Sequence, residues 1–179
     1  MRFVHGGRPI LASPPHMVSI IPYRGNWIFS EPSSDTVFIY LPDHNMMPFI
    51  VRTPSIQSMN PEVFLFPAIL TDRYYFMESA KKGFDIETFR GFPSTSLVYD
   101  KHEKAIFEYV VYNDDFTIKT PVNMAQSTVS NEIAFWQKLE ADDLFDAHKN
   151  GHLKGTLREI AAGLKEEDNP VIMLVKYKR

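Results

Sequence analysis

The chain has 179 residues, with 19 Lys and Arg against 22 Asp and Glu, a net charge of −3 and no Cys. Apolar residues make up 44% of it, enough for a packed core and too many for global disorder. The lack of Cys excludes disulfides, thiolate zinc sites, iron–sulfur clusters and Cys nucleophiles, and the slight negative charge gives no general attraction to nucleic acid.

The opening stretch, MRFVHGGRPILASPPH, carries one early Arg but no apolar run of ~7–15 residues, so it does not read as a secretory signal. The expectation is a protein that stays in the cytoplasm, or a chain without its natural start. Residues 1–16 read as an irregular segment. From residue 17 to about 125 the chain is rich in aromatic and β-branched residues punctuated by Pro, Asn and Asp, which predicts strands and turns. Twenty of the 24 aromatic residues fall within residues 1–130.

The predicted strands follow in order. Met17–Pro22 is a short apolar run, Arg24-Gly25-Asn26 a turn, and Trp27–Ser30 a second strand. Asp35–Leu41 and Met46–Arg52 are the third and fourth, separated by Pro42-Asp43-His44-Asn45, whose residues favour tight backbone. The pattern then returns with Val63–Leu70, Arg73–Ser79, Ser96–Asp100 and Ala105–Tyr112. Val63–Leu70 is also the longest unbroken apolar run, and it contains Pro67. A membrane-spanning helix needs roughly 20 apolar residues, so no such segment is expected. Trp27-Ile28-Phe29 aligns with Tyr74-Tyr75-Phe76, and Thr36-Val37-Phe38 with Leu97-Val98-Tyr99. The offset grows between the two because residues 80–95 are inserted into the second copy. A four-strand unit repeating at ~40–50 residues matches propeller blades, and a sandwich, open barrel or other meander shares the pattern.

Residues 126–179 change character. Ser130 or Asn131 can cap a helix running to about Lys149, with Ile133, Trp136, Leu139, Leu144 and Ala147 on its apolar face. Asn150-Gly151 ends it. A second amphipathic helix is expected over about 153–165, from the spacing of Leu153, Leu157, Ile160, Ala161 and Leu164. Val171–Tyr177 reads as a final, well-buried strand. The predicted fold is therefore mainly β: a partial propeller-like antiparallel meander of about two four-stranded blades over 17–125, then a helical hairpin and closing strand in 126–179 belonging to the same domain.

The stretch from Pro48 to Asp115, with RTPSIQSMNPEVFLFPAILTDRYYFMES, LVYDKHEKAIFEY and VYNDDF, resembles the C-terminal part of a family of six-bladed β-propeller proteins. These are often lipoproteins of gut-dwelling Gram-negative anaerobes. The tail LKGTLREIAAGLKEEDNPVIMLVKYK resembles the same family. The resemblance covers roughly residues 25–179 and implies a propeller fold and a place in the cell envelope or periplasm. It implies no reaction and no catalytic residue. The lipoprotein Cys is absent, and two four-strand units fall short of six blades.

Candidate chemistry is sparse. His148 and His152 are four apart, but Asn150-Gly151 lies between them, so they read as solvated loop histidines. His5-Gly6-Gly7 lacks an accompanying G-x-S-x-G, and Ser79-Ala80-Lys81-Lys82 matches S-x-x-K by letters only. The acid pairs Asp114-Asp115, Asp142-Asp143 and Glu166-Glu167-Asp168 sit in turns or on a helix surface. No metal site, cofactor or catalytic set is assigned. In a four-strand meander the long segments 53–62 and 80–95 emerge from one end, where binding residues tend to sit. Gln57, Lys82, Phe89, Arg90 and Phe92 are the ligand-binding candidates. The expected function is a non-enzymatic binding or scaffold module of the cell envelope, engaging a protein or a glycan-like ligand. Two alternatives stand beside it. One is a propeller-fold hydrolase or lyase acting on carbohydrate or peptide, which needs Asp85, Glu87, Arg90 and a His to cluster. The other is a truncated fragment without independent activity, self-associating through strand edges.

Overall fold

The computed structural model describes residues 2–5, 8–11, 20–85, 87–88, 90–122, 124 and 133–176. The protein is mainly β, with several small antiparallel sheets, two short helices near the C-terminus and a strand after them. It divides into two compact units. The first holds the described residues up to Tyr109, and the second combines Val110–Met124 with Glu132–Arg179.

In the first unit, β1 (Arg2–His5) and β2 (Arg8–Leu11) pair as an antiparallel hairpin, where the sequence suggested irregular chain. Two four-stranded sheets follow. The first runs β3 (Ile20–Tyr23), β4 (Asn26–Phe29), β5 (Thr36–Tyr40) and β6 (Met46–Val51), each strand beside its sequence neighbour. The second has β7 (Val63–Leu70), β8 (Tyr74–Lys81), β11 (Ser94–Asp100) and β12 (Ala105–Glu108) in the same meander order. Between β8 and β11 the insertion forms its own small hairpin, β9 (Phe84–Asp85) with β10 (Arg90–Gly91). The repeated antiparallel meander read from the sequence is therefore present, with most boundaries shifted by a residue or two.

Local chemistry explains the turns. Arg24 and Gly25 both take positive φ, at 51° and 76°, the conformation that matches the twist of a two-residue hairpin. Side chains alternate across the sheets, so Ile21, Ile28 and Ile39 share one face in register. A register shift in β6, between the partners of Val37 and Phe38, places Phe49 as an extra residue. Such a bulge lets consecutive side chains share a face, and both Phe49 and Ile50 pack on the cluster of Ile21, Tyr23, Ile28, Val37 and Leu70. Leu70 and Tyr75 come from the second sheet, so this cluster joins the sheets face to face, with the first strands β3 and β7 in contact.

Electrostatic ties mark the two ends of this sheet pair. The β3–β4 and β7–β8 turns meet through Arg24, whose Nε donates to Asp72 at 2.9 Å. At the opposite end Lys82 Nζ pairs with Glu62 at 3.0 Å, and the Lys82 amide donates to the Glu62 carbonyl at 2.7 Å. Segments 53–62 and 80–95 thus emerge together. In the β11–β12 turn the buried Asp100 carboxylate receives Arg73 Nη2 at 2.7 Å and the His102 amide at 2.8 Å. Arg73 holds this carboxyl down to about 2.

The predicted strand Ala105–Tyr112 splits. β12 ends at Glu108, and β13 (Val111–Asn113) belongs to the second unit, where it pairs with β14 (Thr120–Val122). The helix expected from Ser130 or Asn131 is also corrected. Those two caps lie outside the described residues, and Ile133–Leu139 is a strand, β15, paired with β16 (Val171–Lys176). Ile133, Trp136 and Leu139 fit a three-residue spacing, but Phe135, Gln137 and Leu139 fit a spacing of two, with a bulge separating Ile133 from them. The second period wins because β16 supplies a hydrogen-bonding partner. Phe135 is 1% exposed and Trp136 43%.

The first helix is shorter than expected, α1 (Ala141–Lys149). Asp142 and Asp143 lie in its first turn and His148 and Lys149 in its last, each complementing the helix dipole. Gly151 at φ 71° follows its end. α2 covers only Gly155–Ala161. Leu144, Leu153, Leu157 and Ala161 form the core of this unit, against Phe116, Leu139 and Val171. The last strand is not well buried, as expected from its apolar run, but alternates: Ile172 and Leu174 are each 51% exposed. A two-stranded sheet buries one face here, toward the helices.

Candidate functional site

A cleft of about 490 Å³ lies between the two sheets of the first unit. It lies between β6 and the face of the second sheet. Phe49, Ile50 and Val51 form one wall. Val63 and Leu65 of β7, Tyr75, Met77 and Ser79 of β8, Leu97 and Tyr99 of β11 and Ile106 of β12 contribute the other. Cross-strand register explains why these residues meet: Met77 faces Leu97, and Tyr75 faces Tyr99, with ring centroids 5.9 Å apart. The rim comes from Arg52, Thr53, Pro54 and Met59 of the connection leaving β6.

Asp35 fixes that connection. Its carboxylate accepts Ser55 Oγ at 2.6 Å and the Ile56 amide at 2.7 Å, and its carbonyl accepts the Arg52 amide at 2.9 Å. These donors, Ser55 first, hold the Asp35 carboxyl below its ordinary value. Arg52 Nη2 donates to the Val63 carbonyl. Its Nη1 is buried and has no hydrogen-bond partner among the described residues. Burial lowers the Arg52 pKa, and nearby Asp35 offsets only part of that effect. Among the described residues, Arg52 is the only charged side chain lining the cleft. Tyr75 packs on Phe49 at 5.4 Å and lies under Lys101 Nζ at 5.1 Å, and burial pushes its phenol up.

None of the described candidates read from sequence lines this cleft. Gln57 sits in a single 3-10 turn, Ile56–Ser58, and is exposed. Lys82 is committed to Glu62. Arg90 is exposed on β10, across from Asp85. Phe89 lies outside the described residues. Phe92 is 5% exposed and packs with Ile56, Phe64, Phe66 and Ala80, so it is a core residue that anchors the insertion. The cluster needed for the enzyme reading can be followed in part. Asp85 spends its carboxylate on the Glu87 amide at 2.9 Å and Thr88 Oγ1 at 2.8 Å, within its own turn. Among the described residues no three His, Asp or Glu side chains gather as a metal site, and no helix is long and apolar enough to cross a membrane.

His148 differs from its reading as a loop residue, and His152 keeps a loop position. His148 lies in the last turn of α1, half-buried, with Nδ1 lacking a partner among the described residues. His152 is in the following loop, its amide donating to Ala147 and its carbonyl accepting the Thr117 amide at 2.8 Å each.

Sequence reasoning missed the cleft because its walls are strand residues that look like ordinary core. Alternation along β8 separates Tyr75 and Met77 from Tyr74 and Phe76, but it does not say which face stays open. Comparison with family models, with curated proteins and with solved structures found no match to this chain.

Proposed function

We propose that this chain is a non-enzymatic binding module of a β-propeller-type protein of the cell envelope, and that the cleft between its two sheets receives the ligand. The observation that carries the reading is the cleft itself, an apolar concavity of about 490 Å³ walled by hydrogen-bonded strands. Its volume is within the range of small-molecule sites, ~300–1,000 Å³, and its walls need no folding step to form. The wall bears few polar groups, so an apolar body fits it better than a polyhydroxylated glycan. Two face-to-face meanders support the propeller component. So does the outward face of the first sheet, where the rows Ile20–Phe29–Phe38–Pro48 and Pro22–Trp27–Tyr40–Met46 carry no charge and suit stacking against another sheet. The envelope location rests on the sequence resemblance, and fractionation of the native cell tests it.

A neutral solvatochromic dye tests the cleft. It is expected to bind the full chain one to one. Leu97→Trp, which puts an indole into the cleft, is expected to abolish binding at an unchanged melting temperature. Dye binding that survives Leu97→Trp overturns the assignment.

A further inference from the structure

The face of the second sheet turned away from the cleft carries a different cluster. Alternation along β8 sends Tyr75, Met77 and Ser79 to the cleft and Tyr74, Phe76 and Glu78 to the other side. Register extends two rows across that side. One holds Phe76, Val98 and Phe107, and the next Glu78, Ser96 and Tyr109, whose amide donates to the Ser96 carbonyl at 3.2 Å. Phe76 and Tyr109 meet edge to face, with centroids 5.2 Å apart and planes at 73°. Ser96, which stands between Glu78 and Tyr109 in its row, is small and exposed. Burial first, and then the charge of Glu78, raise the Tyr109 phenol to about 12, so the carboxylate acts on that ring.

The two ends of this face differ in one respect. At the Tyr74 end the protein supplies its own cation: the Arg73 guanidinium lies 4.9 Å from the Tyr74 centroid and pairs with Asp100. At the Glu78 end the aromatic rings and the carboxylate are present without one. Glu78 is half-buried, and among the described residues it makes no hydrogen bond or ion pair. A carboxylate beside aromatic rings attracts a cation through its charge and through the ring quadrupoles. A metal ion needs several oxygen ligands, and a bare ammonium is strongly hydrated. An alkylated ammonium gives up less hydration and presents apolar surface to the rings.

We propose that this face binds a small alkylated ammonium ion, its charge on Glu78 and its alkyl groups against Phe76 and Tyr109. The site is separate from the cleft and does not depend on it.

The probes are choline and its uncharged carbon isostere, dimethylbutanol, titrated into the full chain and followed by NMR. Choline is expected to bind at one per chain, at least fivefold more tightly than the isostere, and Glu78→Gln is expected to remove that difference. Phe76→Leu keeps apolar bulk without a ring. It is expected to weaken choline at least threefold and to leave the isostere within twofold, which keeps the test decisive if Glu78→Gln fails to fold. Leu97→Trp, on the cleft side of the sheet, is expected to leave choline within twofold. Choline and isostere binding equally would overturn the proposal, as would choline binding that Glu78→Gln leaves intact. Choline lost in Leu97→Trp would overturn it by placing the ion in the cleft. No choline binding at all would also overturn it, and the dye experiment judges the cleft independently.

Discussion

Phe92 holds the inserted hairpin to the second sheet, and its backbone makes the prediction sharp. Its side chain is 5% exposed within Ile56, Phe64, Phe66 and Ala80, yet its φ is 53°. Truncating a buried Phe to Ala costs about 3–5 kcal/mol in lost transfer energy and cavity. Ala brings no relief at the backbone, because its Cβ meets the same left-handed penalty of about 1–2 kcal/mol. Gly escapes that penalty but gives the unfolded chain more freedom, which costs about 0.4–1 kcal/mol. Phe92→Gly should therefore be slightly more stable than Phe92→Ala, by about 0.5 kcal/mol, the reverse of the usual order in a strand. Urea unfolding in a Trp136→Phe background leaves Trp27, in the first sheet, as the only indole reporter. Phe92→Ala is expected to lower stability by about 4 kcal/mol. A loss under about 1 kcal/mol would refute the claim that this residue is structural, and a ligand role for it would reopen.

Two further predictions concern other parts of the molecule. Asp100 has its folded pKa depressed to about 2 from an ordinary 3.8, by Arg73 above all. Its contribution to stability is complete above the ordinary value and is lost as pH falls toward about 2. Asp100→Asn should lower stability at neutral pH and flatten the acid-side fall between pH ~4 and ~2. An unchanged acid profile would show that the Arg73 pairing does not bias folding. In the second unit Leu144 is 1% exposed, and Leu144→Ala should cost about 3 kcal/mol, read from the loss of helical circular dichroism on heating. A variant melting with the parent would mean that the helices do not depend on this core.

Charge and composition, read alone, excluded whole classes of chemistry, and strand period with turn residues recovered both meanders. That worked because hairpins pair near neighbours: Arg24-Gly25 and Thr71-Asp72 carry the turn information within a few residues of the strands they join. The common rim of 53–62 and 80–95 followed from the same logic, since strand order in a meander dictates which loops share an end. Tertiary structure decided the rest. Ile133–Leu139 satisfies both a helical and a strand spacing, and only pairing with Val171–Lys176, more than thirty residues away, selects the strand. Phe92 looked like a loop aromatic until Ile56 and Phe64 closed over it. The cleft depends on how two sheets pack, a property of distant strands that no local window of sequence contains.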